Sequence, residues 1–382
     1  MTIDSLPLLD PRAAALSDRL VSKIRAEIDA NLGWLGFDRY MEMVLYEPGL
    51  GYYSAGSAKL GPQGDFVTAP EISDIFGRVL AGELLRVLAT LERPVVLELG
   101  AGTGRLARTL LDAFSEADVD LHEYWILELS AELKDRQRRC LESHAGRVRW
   151  LNALPDASFE GIVLANEVAD ALPVSVFVKR GARALPLGVR WDGDAFVWAA
   201  GPAEPLLSTA VVALEQRLSR ELPDGYRSEL CLRLPPWLAS LSAPVRRGAI
   251  LLIDYGLGRQ EYYHPDRSQG TLICHHRHRA HADPFLFPGL QDVSAWVDFS
   301  ACAEAGLAAG FAVAGYTTQG QFLLHGGAAE MLEELTGRER LQQSQALKTL
   351  ILPGEMGERF KLLLLSRGIG ANLPGRDFRD RL

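Results

Sequence analysis

The chain has 382 residues, enough for one large domain with insertions or for two domains. With 48% hydrophobic and 23% charged residues it has the balance of a globular enzyme, and no apolar run approaches the roughly 20 residues of a transmembrane helix. A net charge of −9 excludes a general nucleic-acid binder, which needs a basic field, but leaves a cationic substrate open. The start, Met1-Thr-Ile-Asp-Ser-Leu-Pro7, lacks both a charged segment and an apolar segment, so no signal or transit peptide is read and a cytoplasmic location is expected. Four widely spaced cysteines, Cys140, Cys231, Cys274 and Cys302, imply no disulfide framework and suit a reducing compartment.

Residues 11–32 carry Leu16, Leu20, Val21, Ile24, Ile28 and Leu32 at helical spacing. Phe37 to Gly64 reads as an irregular stretch with Tyr40, Tyr46, Tyr52 and Tyr53 and five glycines between 49 and 64. Long structureless segments in compact proteins are usually functional or disordered, and four tyrosines argue for a lid or active-site wall. A helix over 72–91 follows, with Thr68 or Ser73 as candidate N-cap.

The next stretch is the most informative. An apolar strand, 95–99, runs into Glu98-Leu-Gly-Ala-Gly-Thr-Gly104 and then a helix, 105–114. A strand, glycine turn and helix bring backbone close to a ligand at a helix N-terminus, because Gly100, Gly102 and Gly104 carry no Cβ. The spacing is G-x-G-x-G rather than the G-x-G-x-x-G of dinucleotide enzymes, and the strand carries an acid, Glu98. Both features favour S-adenosylmethionine, whose aminoacyl part bears an ammonium group and no pyrophosphate, over NAD. A second strand, 123–129, carries Glu128 near its end, 28 residues after Gly100. An acid there can accept both ribose hydroxyls, and beside the glycine turn that role is preferred to a merely solvated one.

Helix 131–144 and strands 147–151 and 161–166 continue an alternation that means a parallel sheet covered on both faces. From 174 the pattern turns hairpin-like, with Val176-Phe-Val178, Val189-Arg-Trp191 and an Asp192-Gly193 turn, then a helix near 205–221, a strand near 228–234 and Pro235-Pro236. The core resumes at Ala249-Ile-Leu-Leu-Ile-Asp-Tyr-Gly256. A polar loop, 257–298, then precedes helix 300–308, strand 311–318, a charged helix near 328–348 and a last strand, 360–365. The expected fold class is α/β: a Rossmann-like class I S-adenosylmethionine-dependent methyltransferase fold with a seven-stranded, mostly parallel sheet. Residues 1–92 form an N-terminal region, 93–173 and 247–370 the cofactor-binding core, and 174–246 an inserted α+β subdomain whose exposed faces could serve a partner or a second subunit.

Several separated blocks agree with one family. Tyr46-Glu-Pro-Gly-Leu-Gly-Tyr-Tyr53, Gly64-Asp-Phe-Val-Thr-Ala-Pro-Glu-Ile-Ser73, the Glu98–Gly104 turn, Asn166-Glu-Val-Ala-Asp-Ala-Leu-Pro173, Ile253-Asp-Tyr-Gly256, Asp283-Pro284, Pro288-Gly-Leu-Gln-Asp292 and Val297-Asp-Phe299 occur in the right order. The chain thereby resembles the MidA-like (DUF185) methyltransferases, which include a mitochondrial protein-arginine methyltransferase assisting complex I assembly. The resemblance implies an arginine-bearing protein substrate, a respiratory complex I subunit homologue being the type, and an antiparallel last strand. It also implies that Gly64, Asp65 and Thr68, with Glu71 nearby, close over the cofactor. The chain departs from the family at Val168-Ala169, where two aromatics are usual, and at Trp296, where a His is usual.

An arginine acceptor sets a chemical demand. Its guanidinium is cationic at ordinary pH with delocalised lone pairs, and carboxylates gripping it can aim one nitrogen at the methyl group. Glu167 and Asp170, three residues apart after the fourth core strand, are candidates for that clamp. Alternatively Asn166 and Glu167 belong to the cofactor pocket and Asp170 caps the next turn. Asp65 is the third catalytic candidate, with a turn role as its alternative. No metal is expected: Cys274-His-His-Arg-His-Arg-Ala-His281 is crowded, cationic and without matching ligands elsewhere.

Overall fold

The computed structural model describes residues 10–54, 67–119, 121–277 and 279–382. Its main sheet has eight strands, one more than expected: Val297–Asp298, which pairs parallel with Gly256 and Leu257, and a continuous run of seven numbered in chain order, β1 Val95–Leu99, β2 Glu123–Leu127, β3 Val148–Leu151, β4 Phe159–Asn166, β5 Val245–Leu257, β6 Ala312–Thr318 and β7 Phe360–Arg367. The spatial order of the seven is β3-β2-β1-β4-β5-β7-β6. All pairs are parallel except those of β7, which lies antiparallel between β5 and β6. The last strand thus inserts as the family resemblance implies.

Every residue of β1 is buried, because helices cover both faces. Side chains alternate: Val96 packs with Ile126, Leu251 and Leu364 under the helices Asp74–Leu88 and Arg105–Glu116. Val95, Leu97 and Leu99 face the opposite core, with Ile250, Leu252 and Leu363 under the helices Leu234–Ser242 and Phe299–Ala308. Sheet order reverses between β1 and β4, so a crevice opens at their carboxyl ends.

The rest of the chain builds a wall over that crevice. Asp10 caps the first helix, Pro11–Ala30, by accepting the Arg12 N–H, and Leu20, Ile24 and Ile28 form its buried stripe. They pack with Phe37, Tyr40 and Val44 against Val176, Val189 and Phe196 of a five-stranded sheet, and against Cys274 and Val293. In that sheet Arg183–Trp191 pairs with Ser175–Arg180, with Phe196–Ala200 and with Leu35–Gly36 of the N-terminal region.

Four sequence expectations need correction. The supposedly irregular stretch after residue 37 begins with a helix, Phe37–Tyr46, whose Phe37, Tyr40, Met41 and Val44 are buried at helical spacing. The strand expected near 228–234 is only Arg227–Leu230, and Pro235-Pro236 sit in the first turn of a helix, Leu234–Ser242, which was not expected there and in which a missing N–H costs little. The polar loop 257–298 contains a three-stranded sheet, Arg279–His281, Ile273–His276 and Asp292–Ser294. The charged helix near 328–348 is two helices, Ala328–Glu333 and Gly337–Ile351. Of the two cap candidates, Ser73 caps its helix by accepting the Ile75 N–H.

Candidate active site

A cleft of about 740 Å³ lies at the carboxyl ends of β1, β2 and β4. Its cofactor side is built on the glycine turn. Gly100, Gly102 and Gly104 all have positive φ, between 54° and 88°. Gly100 and Gly102 line the cleft, whereas a Cβ on Gly104 would meet Gln137 and Cys140, so Gly104 serves close packing of the helix behind.

The acids on this side are held by the chain's own donors. Glu128 accepts from the Ser130 N–H at 2.9 Å and from Gln137 Nε2 at 3.0 Å. Gln137 also donates to the Gly102 carbonyl, tying the turn to the acid. Glu98 is buried and accepts from the Tyr124 hydroxyl at 2.7 Å. Burial pushes its carboxyl up to about 7, the Tyr124 hydrogen bond opposing and the Glu128 charge adding. Glu71 accepts from the Thr103 hydroxyl, and Thr68 lines the cleft beside it. Exposed Leu129, with Leu133, Leu154 and Trp237, gives an apolar surface at the other end.

The far side is different. Glu167 has φ +55°, a left-handed backbone that a branched or long side chain rarely adopts, fixed by its N–H donating to the Ile253 carbonyl at 2.8 Å. Buried Asp254 accepts the Ala169 and Asp170 N–H groups and so holds the turn that follows. Glu167 lines the cleft, and burial pushes its carboxyl up to about 8, with the Asp170 charge adding. Asp170 lies one layer behind, buried, accepting from the Tyr255 hydroxyl. Burial and the charge of Asp292 push it up to about 7. Asn166 Oδ1 and Asp170 Oδ1 are buried without a hydrogen-bond partner among the described residues.

Tyr46 and Tyr53 form the outer wall, stacked with centroids 5.6 Å apart at 23°. The Tyr46 hydroxyl donates to the Ala171 carbonyl and that of Tyr53 to Asp292 Oδ1. Val168 faces the cleft, whereas Trp296 sits behind it, edge-on to Tyr255 and under Arg267. Gly64 and Asp65 lie outside the described residues.

Of the predicted site residues, the structure therefore brings Glu98, Gly100, Gly102, Glu128, Asn166, Glu167 and Thr68 to one cleft, places Asp170 behind it and Gly104 beside it. Sequence reasoning missed Gln137, Tyr124, Tyr255 and Asp292. Asp254 was visible only as a strand-end acid. Among the described residues no group of three metal-ligating side chains is assembled, and no helix is long and apolar enough to cross a membrane.

Among the described residues four glutamates and one basic side chain, Arg105, line the cleft, and Arg105 is tied to Asp74 and the Glu71 carbonyl. Such a lining rejects a pyrophosphate and accepts a ligand bearing a sulfonium, an ammonium and ribose hydroxyls. S-adenosylmethionine fits: Glu128 could take the ribose, and the orphaned Asn166 acceptor is suited to a donor such as the ammonium. Fold and cleft define a class I S-adenosylmethionine-dependent methyltransferase.

Comparison with known proteins agrees. The sequence profile of a family described as "Putative S-adenosyl-L-methionine-dependent methyltransferase" matches residues 79–317, and the chain belongs to this family, the MidA-like (DUF185) methyltransferases. It is 43% identical to a COG1565 superfamily member from Burkholderia thailandensis solved with bound S-adenosyl-homocysteine, with a TM-score of 0.91 over 97% of this chain and 99% of that one. It is 30% identical to the mitochondrial protein arginine methyltransferase NDUFAF7 of Mus musculus over 85% of this chain and 79% of that protein. Its counterpart from Danio rerio is 26% identical over 91% and 87%. The enzyme is a methyltransferase and its cofactor is S-adenosylmethionine.

Proposed function

We propose that this methyltransferase acts on an arginine side chain of a protein partner. The observation that carries the reading is the far side of the cleft. There Glu167 stands in front of buried Asp170 and Asp254, and among the described residues no basic side chain of the cleft lining pairs with them. Buried carboxylates without a cation are costly, and a guanidinium entering from outside would satisfy them. The names of the NDUFAF7 relatives, protein arginine methyltransferases, support the same acceptor.

Bound S-adenosylmethionine supplies an activated methyl group, so the protein's work is placement. Glu167 would grip the guanidinium and point one nitrogen at the methyl carbon, with the Tyr46–Tyr53 wall excluding water. As the N–C bond forms and the carbon–sulfur bond breaks onto sulfur, the nitrogen loses a proton, and the Glu167 carboxylate is placed to accept it. A respiratory complex I subunit homologue is the partner class this reading favours, a cytoplasmic location suits four cysteines that are all free, and a homodimer through the 174–246 insertion belongs to the same proposal.

The test compares methylarginine-containing peptides, by mass spectrometry, in cells carrying the wild-type chain or Glu167→Gln. Loss of a methylarginine from a particular protein in the variant supports the proposal. Transfer of label from S-adenosylmethionine only to small metabolites would replace it with a small-molecule methyltransferase. Cofactor binding without any transfer would leave an assembly factor.

A further inference from the structure

Behind the cleft wall stands a carboxylate that the reaction just described does not use. Asp292 begins the short strand Asp292–Ser294, is buried, and reaches the site from a sheet far along the chain. Its Oδ1 accepts from the Tyr53 hydroxyl at 2.9 Å, and its Oδ2 accepts from the Ser294 hydroxyl at 2.5 Å. The Ala295 N–H donates to the Asp170 carbonyl at 3.1 Å, so this strand end is latched to the turn that bears Glu167 and Asp170.

Two consequences follow from that placement. Tyr53 is one of the two stacked rings of the outer wall, and a ring whose hydroxyl is fixed at one end keeps its orientation. Asp292 also faces Asp170 and Glu167 electrostatically, adding negative charge beside a cleft in which, among the described residues, the one basic lining side chain, Arg105, is tied elsewhere. The titratable groups around it are His275, whose Nδ1 lies 3.9 Å from Oδ2, together with Tyr46, Tyr53, Tyr255 and Cys274. Asp254 completes the cluster behind Asp170, and Arg233, whose charge reaches Tyr46, is held bidentately by Glu42.

We propose that Asp292 is a positioning residue for the acceptor, orienting Tyr53 from behind and supplying the additional negative charge that makes the site select a cationic side chain over a neutral one. The proposal rests on the arginine reading. Asp292 touches neither cofactor nor acceptor; it acts through Tyr53 and through the field on Glu167 and Asp170.

The test uses the full chain saturated with S-adenosyl-homocysteine and two probes, a blocked Gly-Arg-Gly tripeptide and its counterpart with neutral citrulline. Titration calorimetry at pH 7 in phosphate and in Tris gives affinity and the number of protons released. The wild type is expected to prefer arginine by about tenfold or more and to release a proton as the cation forces the carboxyl cluster to ionise. Asp292→Asn, which keeps the shape and an acceptor for Tyr53, should cut that preference by roughly tenfold and reduce the proton release, with S-adenosyl-homocysteine affinity unchanged. Tyr53→Phe, which keeps the ring and frees its end, should weaken both peptides alike by several-fold on the scale of one lost hydrogen bond.

An Asp292→Asn protein with wild-type preference and proton release overturns the proposal while leaving arginine as the acceptor. Should Asp292→Asn fail to bind S-adenosyl-homocysteine at all, Tyr53→Phe decides: unchanged peptide affinity there overturns the orienting role. A wild type that does not distinguish the two peptides removes the arginine reading and this proposal together.

Discussion

The two sides of the cleft solve the problem of buried acids in opposite ways. On the cofactor side each acid has a donor from the chain: Ser130 N–H and Gln137 for Glu128, Tyr124 for Glu98, Thr103 for Glu71. On the acceptor side Glu167 has Asn166 Nδ2 at 3.3 Å and Asp170 has the Tyr255 hydroxyl, but Asp170 keeps an unpartnered oxygen and Glu167 is held in a strained backbone. The acids of the first side are satisfied before the ligand arrives, and that side binds by preorganisation. The second is short of positive charge and is completed by what it binds, so charge selects the acceptor while geometry selects the cofactor.

The largest effect that could break this contrast is on turnover. Glu167→Gln keeps the side chain's size but can neither carry the charge nor take the proton, and loss of such an electrostatic group costs on the order of 10²–10³ in kcat. S-adenosyl-homocysteine affinity should change little in the same variant. A parallel collapse of cofactor binding would move Glu167 to the cofactor side and dissolve the division. Glu128→Ala is the mirror experiment. Removing a charged acceptor of ribose hydroxyls is expected to cost about 2 kcal/mol, roughly thirtyfold in Kd for S-adenosylmethionine, without altering kcat at saturation. Calorimetry showing unchanged affinity would take the ribose away from Glu128.

The contrast also decides what could be read from the chain alone. The cofactor side is local in sequence: a strand, a glycine turn and a strand-end acid keep fixed offsets, so Glu98, Gly100, Gly102 and Glu128 were legible from spacing. The regular alternation likewise gave the parallel sheet, and only the family resemblance gave the antiparallel β7. Asp292 was visible only as the end of the Pro288–Asp292 block; its role was illegible because its link to Tyr53 spans 239 residues and no period or motif records such a contact. Its strand, three residues long in a polar segment, lies below what alternation can detect. The helix Phe37–Tyr46 was hidden by the glycines that follow it, and Leu234–Ser242 by prolines that are harmless in a first turn. That Asp170 would be buried behind the wall rather than exposed on it depends on Asp254 and Tyr255, one strand away in space and more than eighty residues away in sequence.

The smallest expected effect sharpens the comparison most, because it asks whether the cofactor side is satisfied at the level of charge. Tyr124→Phe removes one buried hydroxyl from β2 and leaves Glu98 without that donor. The loss should be about 1 kcal/mol rather than the full penalty for a stranded charge, since a carboxyl can protonate instead. Glu98 has its folded-state pKa raised to about 7, so the folded protein holds a proton there that the unfolded chain releases above about 4.5, and stability falls as pH rises through that window. The Tyr124 hydroxyl opposes this rise; without it the folded-state value climbs further and the loss of stability extends to higher pH. The variant should therefore unfold near the wild-type temperature at pH 5 and clearly below it at pH 8.5. An equal deficit at both values would mean that Glu98 never ionises in the empty cleft, and that the cofactor side, like the acceptor side, waits for the charge of its ligand.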